Sequence, residues 1–188
     1  MELVLASQSP RRVELLKNIT ENFLVRPAAG AEVAPPGASP QNTVMYLALQ
    51  KALEVAAACP QALVIGADTV VAIDGATLGK PKNKEHCLQM LRSLSGREHL
   101  VCTGVALVQG TRQETFCAQT TVEFFPLPPA QMEWYASTPE PYDKAGGYGI
   151  QGLGSLLVKQ IQGDYFNVMG LPIAQLAQRL APYGICPW

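Results

Sequence analysis

Apolar positions along this chain follow two patterns, short continuous runs and stripes at helical spacing. Continuous runs bounded by turn residues predict buried strands, and apolar residues three or four apart predict helices. The runs predict strands around residues 3–6, 23–26, 62–67, 70–73, 99–108, 113–125 and 155–161. The stripes predict helices around residues 10–18, 41–59, 84–94, 130–136 and 171–180. This alternation, with hairpins among the strands, indicates an α/β fold with a mixed sheet flanked by helices.

The length and composition fit a single domain. A chain of 188 residues, with 48% hydrophobic and 15% charged residues, can bury a sizeable core. No internal repeat or linker-like stretch divides it. We therefore expect residues 1–188 to form one domain, with two lobes around a cleft as one way of building it.

Charge and cysteine content exclude several classes of function. A net charge of −1 and a pI near 6.1 argue against binding to nucleic acid or a membrane surface, either of which favours a basic protein. The sequence has no apolar stretch of roughly 20 residues and no basic region typical of a signal peptide. Its five cysteines are odd in number and scattered, which argues against disulfides and zinc. We expect a cytoplasmic protein.

The segment Ser7–Arg12 is a candidate anion site. It follows an apolar strand and opens a helix, where free backbone N–H groups and the helix dipole attract negative charge. Ser7 adds a hydroxyl group, and Arg11 and Arg12 add guanidinium groups. A solvated basic helix end would have the same sequence, so spacing alone leaves both interpretations open.

Two lysines are candidate phosphate ligands. Lys51 falls inside the apolar stripe of the long helix, where a lysine either extends past the core edge or points at an anion. Lys80 lies between Gly79 and Pro81 in a stiff loop. Each lysine taken alone could equally be an ordinary surface or core-edge residue.

Asp68 is the sharpest candidate for catalysis. We expect it to end an apolar strand, which would hold its carboxylate in place, partly desolvated, where it could accept a proton from water or bind a divalent cation. Thr69 beside it could donate a hydrogen bond to a ligand, and Glu32 could be a second metal ligand. The alternatives are a turn-forming aspartate and a solvated loop glutamate.

Glycines are dense between Asp143 and Gly154. Such density breaks regular structure and lets the backbone approach a ligand closely. Gln151 in this segment offers both a donor and an acceptor, which suits the edge of a nucleobase. The spacing fits neither the Walker phosphate loop nor the dinucleotide-binding glycine motif.

Taken together, these segments resemble the Maf family of nucleotide pyrophosphatases. The matching segments occur in the family's order over nearly the whole chain: 5–12, 47–52, 66–71, 78–81, 94–99, 103–105, 143–154 and 167–172. One departure is Thr138–Pro141, which stands where a Gly-Glu-Pro run is usual.

The resemblance implies a fold similar to that of the inosine triphosphate pyrophosphatases, with two lobes around a central cleft. It implies Asp68 as the general base for water attack on the α-phosphorus of a nucleoside triphosphate. Phosphate-binding residues would be Ser7, Arg12, Lys51 and Lys80. A divalent cation, Mg²⁺ or Mn²⁺, would lie near Glu32 and Asp68.

The glycine-rich segment is similar to that of the branch that hydrolyses dTTP and UTP. Arg11, Thr69 and Gln151 match specificity positions of that branch, whereas the branch acting on 7-methyl-GTP tends to carry glutamate in place of Gln151. The other hypotheses are hydrolysis of 7-methyl-GTP and a nucleotide-binding regulator of cell division that does not hydrolyse its ligand. A homodimer is compatible with the family.

Overall fold

A computed structural model describes residues 2–188 and contains seven strands and six α-helices within that range. The strands are β1 (Leu3–Ala6), β2 (Leu24–Val25), β3 (Leu63–Ile73), β4 (Ala76–Leu78), β5 (Glu98–Gln109), β6 (Arg112–Phe124) and β7 (Val158–Gly163). The helices are α1 (Pro10–Lys17), α2 (Pro40–Ala58), α3 (Lys84–Leu94), α4 (Pro129–Ala136), α5 (Tyr165–Met169) and α6 (Ile173–Leu180). None of these helices in residues 2–188 is long and apolar enough to span a membrane.

The seven strands form one mixed sheet, which confirms the predicted fold class. The strand order is β2-β1-β3-β5-β6-β7, with β4 paired to β3 off this path. β1 is parallel to both β2 and β3, and Ala6 lies opposite Gly66 in the second pairing. β3–β4 and β6–β7 are antiparallel pairs. A hairpin joins β3 to β4, and its two turn residues, Asp74 and Gly75, both have positive φ, as a type I′ turn requires.

The chain divides into two compact units. Unit 1 contains the residues up to Asp68, residues 103–118 and residues 170–188. Unit 2 contains residues 69–102 and 119–169. β3, β5 and β6 contribute residues to both units, because each boundary on these strands falls inside the strand.

The structure corrects the prediction that a strand ends at Asp68. β3 continues without a break from Leu63 to Ile73, and Asp68 lies in its middle. The two ends of β3 have different partners, since residues 63–66 pair with β1 and residues 71–73 pair with β4. The apolar run gives way to Asp68 and Thr69 between the part of β3 that pairs with β1 and the part that pairs with β4. The boundary between the two units falls at the same place, within one strand.

Two further differences concern short elements. The last strand begins at Val158 rather than near residue 155, because Gly152–Leu156 forms a 3-10 turn. α5 spans only five residues and has too few positions to produce a recognisable helical stripe. The glycine-rich region contains two more 3-10 turns, Glu140–Asp143 and Ala145–Gly147.

Candidate active site

Close packing of α2 on the sheet of unit 1 determines where Lys51 lies. Gly66 and Gly104 face this helix, and a Cβ at either would collide with its backbone, at Ala48 and Val44 respectively. The core between helix and sheet is correspondingly rich in small side chains, namely Val4, Ala6, Ala48, Ala52, Val55, Cys59, Ala62, Val64, Ala106 and Val108. Side chains two residues apart on a strand share a face. Asp68 is therefore on the face of β3 that Gly66 presents to α2.

Lys51 forms ion pairs with two carboxylates. Its Nζ lies 2.6 Å from Oδ1 of Asp68 and 2.8 Å from Oε1 of Glu32. The side chains of Lys51 and Asp68 are 14% and 10% exposed, whereas that of Glu32 is 59% exposed. The lysine that interrupts the apolar stripe of α2 thus contacts two carboxylates of the chain itself, and phosphate binding by Lys51 stays a prediction.

Ser7 and Arg12 form a second group of polar side chains in unit 1. Ser7 is buried directly after β1, and its Oγ accepts hydrogen bonds from the backbone N–H of Ser9 at 3.2 Å and from Nη1 of Arg12 at 3.4 Å. Nε of Arg12 donates to the carbonyl oxygen of Gly170 at 2.8 Å. The first turn of α1 contains no acidic residue. Its N-terminal positive charge is therefore reinforced by the arginines of that turn.

The charges of these two groups act on one another. Burial lowers the pKa of the Arg12 guanidinium, and the neighbouring charge of Arg11 lowers it further, whereas Asp68 and Glu32 raise it. Arginine remains protonated under any physiological condition. Unit 1 therefore holds fixed cations, Arg12 and Lys51, within electrostatic reach of two carboxylates.

Glu54, which the sequence analysis did not single out, holds the loop that precedes Glu32. Its carboxylate accepts the backbone N–H of Ala29 at 2.7 Å and that of Gly30 at 3.0 Å. A Cβ at Gly30 would lie 2.7 Å from Oε2 of Glu54, so the loop fits tightly around this carboxylate. Glu54 lies on an exposed part of α2, where a glutamate looks like any solvated helix residue in the sequence.

The donor set of unit 1 fits a magnesium-type ion that is shared with a substrate. Among residues 2–188, no group of three or more His, Cys, Asp or Glu side chains could hold a metal by itself. Glu32 and Asp68 supply two carboxylates joined through Lys51. Mg²⁺ is commonly bound by one or two carboxylates together with substrate phosphates and water, rather than by a complete protein cage.

Three other predicted site residues belong to unit 2. Thr69 is half-buried and follows Asp68 in β3. Lys80 is exposed in the loop between β4 and α3. Gln151 is exposed and directly precedes the 3-10 turn Gly152–Leu156.

The glycine-rich segment of unit 2 is anchored by aromatic side chains. Tyr148 is buried, and its Oη shares a 2.7 Å hydrogen bond with Nε2 of His99. Both rings pack edge-on against Phe124, at centroid distances of 4.7 Å and 5.0 Å respectively. Burial lowers the pKa of His99 to about 4, and burial raises the pKa of Tyr148. Both side chains are therefore neutral at neutral pH.

Comparison with known proteins identifies the family. The family model described as Maf-like protein matches residues 2–183. The chain belongs to the Maf-like family. It is 52% identical over 185 residues to the dTTP/UTP pyrophosphatase of Exiguobacterium sibiricum, covering 98% of this chain and 94% of that one. It is 48% identical over 187 residues to the dTTP/UTP pyrophosphatase of Bacillus pumilus, covering 100% and 99%.

Among solved structures, this Maf-like chain is similar to the Staphylococcus aureus Ham1 protein. The likeness covers 66% of this chain and 72% of that chain, with 17% identity and a TM-score of 0.48. At that identity and TM-score, the likeness supports no conclusion about this chain.

Five of the predicted site residues are thus neighbours within unit 1 of this Maf-like protein: Ser7, Arg12, Glu32, Lys51 and Asp68. Arg11 is half-buried beside Arg12 at the start of α1. Sequence reasoning missed Glu54 and, in unit 2, Tyr135 and Glu140. Each of these three binds backbone groups, and a side chain that binds backbone leaves no spacing pattern in the sequence.

Proposed function

We propose that this chain is a nucleoside triphosphate pyrophosphatase that hydrolyses dTTP and UTP to the monophosphate and pyrophosphate. The names of its relatives support this assignment at 52% and 48% identity over nearly the full chain. The arrangement of charges in unit 1 supports it independently, since triphosphate chemistry needs fixed cations and a base in one place.

The observation that carries the proposal is the bridge formed by Lys51 between Asp68 and Glu32. The ammonium group of Lys51 donates a hydrogen bond to Oδ1 of Asp68 and so fixes the orientation of the carboxylate. A carboxylate has two oxygens with several lone pairs, so it can accept a proton from water while it remains bonded to Lys51. A binding protein without catalysis would have no need for such a nearly buried, oriented base.

In the proposed reaction, Asp68 accepts a proton from a water molecule as the water oxygen forms a bond to the α-phosphorus. The bond between the α-phosphorus and the oxygen that bridges to the β-phosphorus breaks, and its electron pair stays with the departing pyrophosphate. The water oxygen remains on the nucleoside monophosphate. General base catalysis of this kind contributes rate factors of roughly 10²–10⁴.

The cations in this proposal bind and orient the phosphates. Arg12 is held by Ser7 and by the carbonyl oxygen of Gly170, so its guanidinium is positioned before any ligand binds. We assign phosphate binding to Ser7, Arg12 and Lys51, and extend it to Lys80 on the family resemblance. Such preorganised donors stabilise charge that develops on the phosphate oxygens in the transition state.

A divalent cation, Mg²⁺ or Mn²⁺, would be held by Glu32 and Asp68 together with the substrate. When bound, it would neutralise charge on the phosphates and polarise the bond that breaks. Glu32 suits this role because it is largely exposed and its loop is held by Glu54. Lys51 then sets the orientation of both carboxylates.

We assign base recognition to Gln151, with Arg11 and Thr69 as further specificity residues. A side-chain amide both donates and accepts hydrogen bonds, which matches the donor and acceptor edge of thymine or uracil. A glutamate at this position would only accept and would suit the donor-rich edge of guanine.

The test is pyrophosphate release from dTTP, UTP, CTP, dATP, GTP and 7-methyl-GTP, with Mg²⁺ and Mn²⁺ in separate reactions. We expect dTTP and UTP to have the highest kcat/KM. Turnover of 7-methyl-GTP alone would refute the role of Gln151 and keep the chemistry. Tight binding of nucleotide with no turnover of any triphosphate would refute the enzyme assignment and favour a regulator.

A further inference from the structure

Gln151 lies in a stretch of chain that regular secondary structure does not hold. It precedes the 3-10 turn Gly152–Leu156, and no side chain caps the start of that turn. Its own side chain is exposed. Whatever fixes the backbone on both sides of Gln151 therefore determines where its amide group is presented.

Two side chains hold the backbone on either side of Gln151. The carboxylate of Glu140 accepts the backbone N–H of Leu153 at 2.9 Å, through Oε2, and that of Gly154 at 2.8 Å, through Oε1. On the other side, the backbone N–H of Gly149 donates to Oη of Tyr135 at 3.3 Å. The residues two positions before and two positions after Gln151 are thus both fixed.

These two side chains are also bonded to each other. Oη of Tyr135 donates a hydrogen bond to Oε1 of Glu140 at 3.1 Å. Tyr135 is fully buried, and burial, followed by the negative charge of Glu140, raises the pKa of its phenol. The phenol is therefore a permanent donor to Glu140. We refer to Tyr135 and Glu140 as the carboxylate clamp.

The chain fits closely around the clamp. A Cβ at Gly152 would lie 2.7 Å from Oε2 of Glu140, and one at Gly154 would lie 2.8 Å from Oη of Tyr135. Gly152 also has a positive φ of 66°. Only glycine meets both conditions at Gly152. Glycine at these two positions thus lets the backbone near Gln151 come close to the Glu140 carboxylate and the Tyr135 hydroxyl group.

The position of Glu140 is itself fixed from several sides. Its carbonyl oxygen accepts a 2.7 Å hydrogen bond from Nζ of Lys144, whose Nζ also pairs with Asp143 at 2.6 Å. The adjacent Pro141 is buried. Hydrogen bonds from N–H groups to a carboxylate are among the stronger ones in proteins. The clamp is therefore a rigid support for a segment that has little structure of its own.

We propose that Glu140 is a positioning residue that sets base selectivity by fixing the backbone on which Gln151 stands. This inference rests on the proposed function of Gln151. Glu140 itself does not contact the substrate on this proposal. Part of the selectivity therefore comes from a side chain that the nucleotide does not touch.

The variant Glu140→Gln tests the proposal because glutamine has nearly the same shape and only one accepting oxygen. It can keep at most part of the bonding to Leu153, Gly154 and Tyr135. We expect KM for dTTP and UTP to rise on the order of tenfold, since a misplaced binding group loses part of its contact with the base. We expect kcat to stay within about threefold of wild type, and the preference for dTTP over dATP to fall by about the same tenfold.

The double variant Glu140→Gln/Gln151→Ala separates positioning from general loosening of the fold. If Glu140 acts through Gln151, its effect on selectivity disappears once Gln151 is truncated, and the two losses are not additive. Glu133→Gln is the matched control, because Glu133 is a carboxylate of unit 2 that pairs with Lys84 and should leave KM and selectivity unchanged. Thermal unfolding of each variant reports whether it folds.

Tyr135→Phe provides a second variant should Glu140→Gln fold poorly. It removes the bonds to Gly149 and Glu140 and keeps the buried ring, so we expect a smaller change in the same direction. Equal losses on all triphosphates, fully additive losses with Gln151→Ala, or unchanged selectivity would each overturn the assignment of Glu140. A wild-type chain that turns over no triphosphate would contradict the proposed function itself, and with it the role given to Glu140.

Discussion

Both units use a glutamate to hold a loop, and the loops differ in what fixes the residue they present. In unit 1, Glu54 accepts backbone N–H groups just before Glu32, and Glu32 is then bonded through its own side chain to Lys51. In unit 2, Glu140 accepts backbone N–H groups just after Gln151, whose side chain is exposed. The ion pair with Lys51 thus orients the side chain of Glu32, whereas Gln151 is positioned through its backbone alone.

Under the proposed function, this difference separates the Lys51–Asp68 pair, which serves the reaction, from the support of Gln151, which serves selectivity. The ion pair of Lys51 with Asp68 lies nearly out of solvent, where the cost of desolvation offsets much of the attraction. The net contribution of this ion pair to the free energy of unfolding is therefore small, and its main effect is to fix the orientation of Asp68. The glycine-rich segment is instead held through its backbone, by the Glu140 carboxylate and by the buried side chain of Tyr135, and is anchored by the buried neutral pair Tyr148 and His99. Substitutions of Lys51 and Asp68 should change the rate, and substitutions of the glycine-rich segment or of the groups that hold it should change stability or selectivity.

The largest expected effect is that of Asp68→Asn. The amide cannot take a proton from water at neutral pH, so we expect kcat for dTTP to fall by roughly 10²–10⁴. Asparagine can still accept the hydrogen bond from Lys51, so the free energy of unfolding should change by no more than about 1 kcal/mol. Pyrophosphate release and urea unfolding measure the two quantities.

Asp74→Asn is the matched control for this change. Asp74 is an exposed aspartate of unit 2 that pairs with Arg97 at 2.6 Å, and its turn conformation accepts asparagine. Its kcat should equal that of the wild type. An Asp68→Asn variant that retained a tenth or more of the wild-type kcat would show that Asp68 is not the general base.

The next largest expected effect is a loss of unfolding free energy at acid pH, which arises from His99 in unit 2. Because burial lowers the pKa of His99 to about 4, the unfolded chain binds a proton at this residue more readily than the folded chain does. The stabilisation that comes from the neutral His99 side chain is complete above the pKa of histidine in the unfolded chain, about 6.5, and is lost as the pH falls toward about 4. We expect a loss of about 2–3 kcal/mol in unfolding free energy over this range.

The pH dependence is measured by urea unfolding of the wild type, His99→Gln and His86→Gln between pH 7 and pH 4. The His99→Gln variant should lose the part of the pH dependence that titration of this residue causes. The His86→Gln variant removes the chain's other histidine and should retain it. Equal slopes in all three proteins would mean that His99 does not titrate on unfolding.

The difference between the two units also explains what the sequence could predict. Residue type and position in a pattern identified the groups to which the proposed function gives a role through their side chains. Lys51 interrupts an apolar stripe, and Asp68 follows an apolar run, so both stand out. Apolar spacing predicted the bounds of α2 to within one residue, and α3 spans Lys84–Leu94 as expected.

The groups that act on the backbone could not be found in this way. Glu54 and Glu140 accept N–H groups that are distant in sequence, 24 and 25 residues away for Glu54 and 13 and 14 for Glu140. No local pattern records such a contact. For the same reason Asp68 was expected to end a strand, since the pairing of Val71 with Leu78 that continues β3 depends on residues beyond the run.

The smallest expected effect tests whether Gln151 reads the base. In Gln151→Glu the side chain can only accept hydrogen bonds at neutral pH, whereas the edge of thymine or uracil presents both acceptors and a donor. We expect kcat/KM for dTTP and UTP to fall about tenfold, as the loss of one hydrogen bond and an unpaired acceptor predict. Activity on 7-methyl-GTP relative to dTTP should rise.

The backbone around position 151 should be unaffected by this change, because Glu140 binds the N–H groups of Leu153 and Gly154 and not the side chain of Gln151. Gln151→Glu therefore alters the reading group on an intact support, whereas Glu140→Gln alters the support beneath an intact reading group. Gln89→Glu, at an exposed position of α3, makes the same change of charge in unit 2 and should leave the substrate ratio unaltered. An unchanged ratio of 7-methyl-GTP to dTTP in Gln151→Glu would mean that selectivity arises elsewhere, with Arg11 and Thr69 as the residues to vary next.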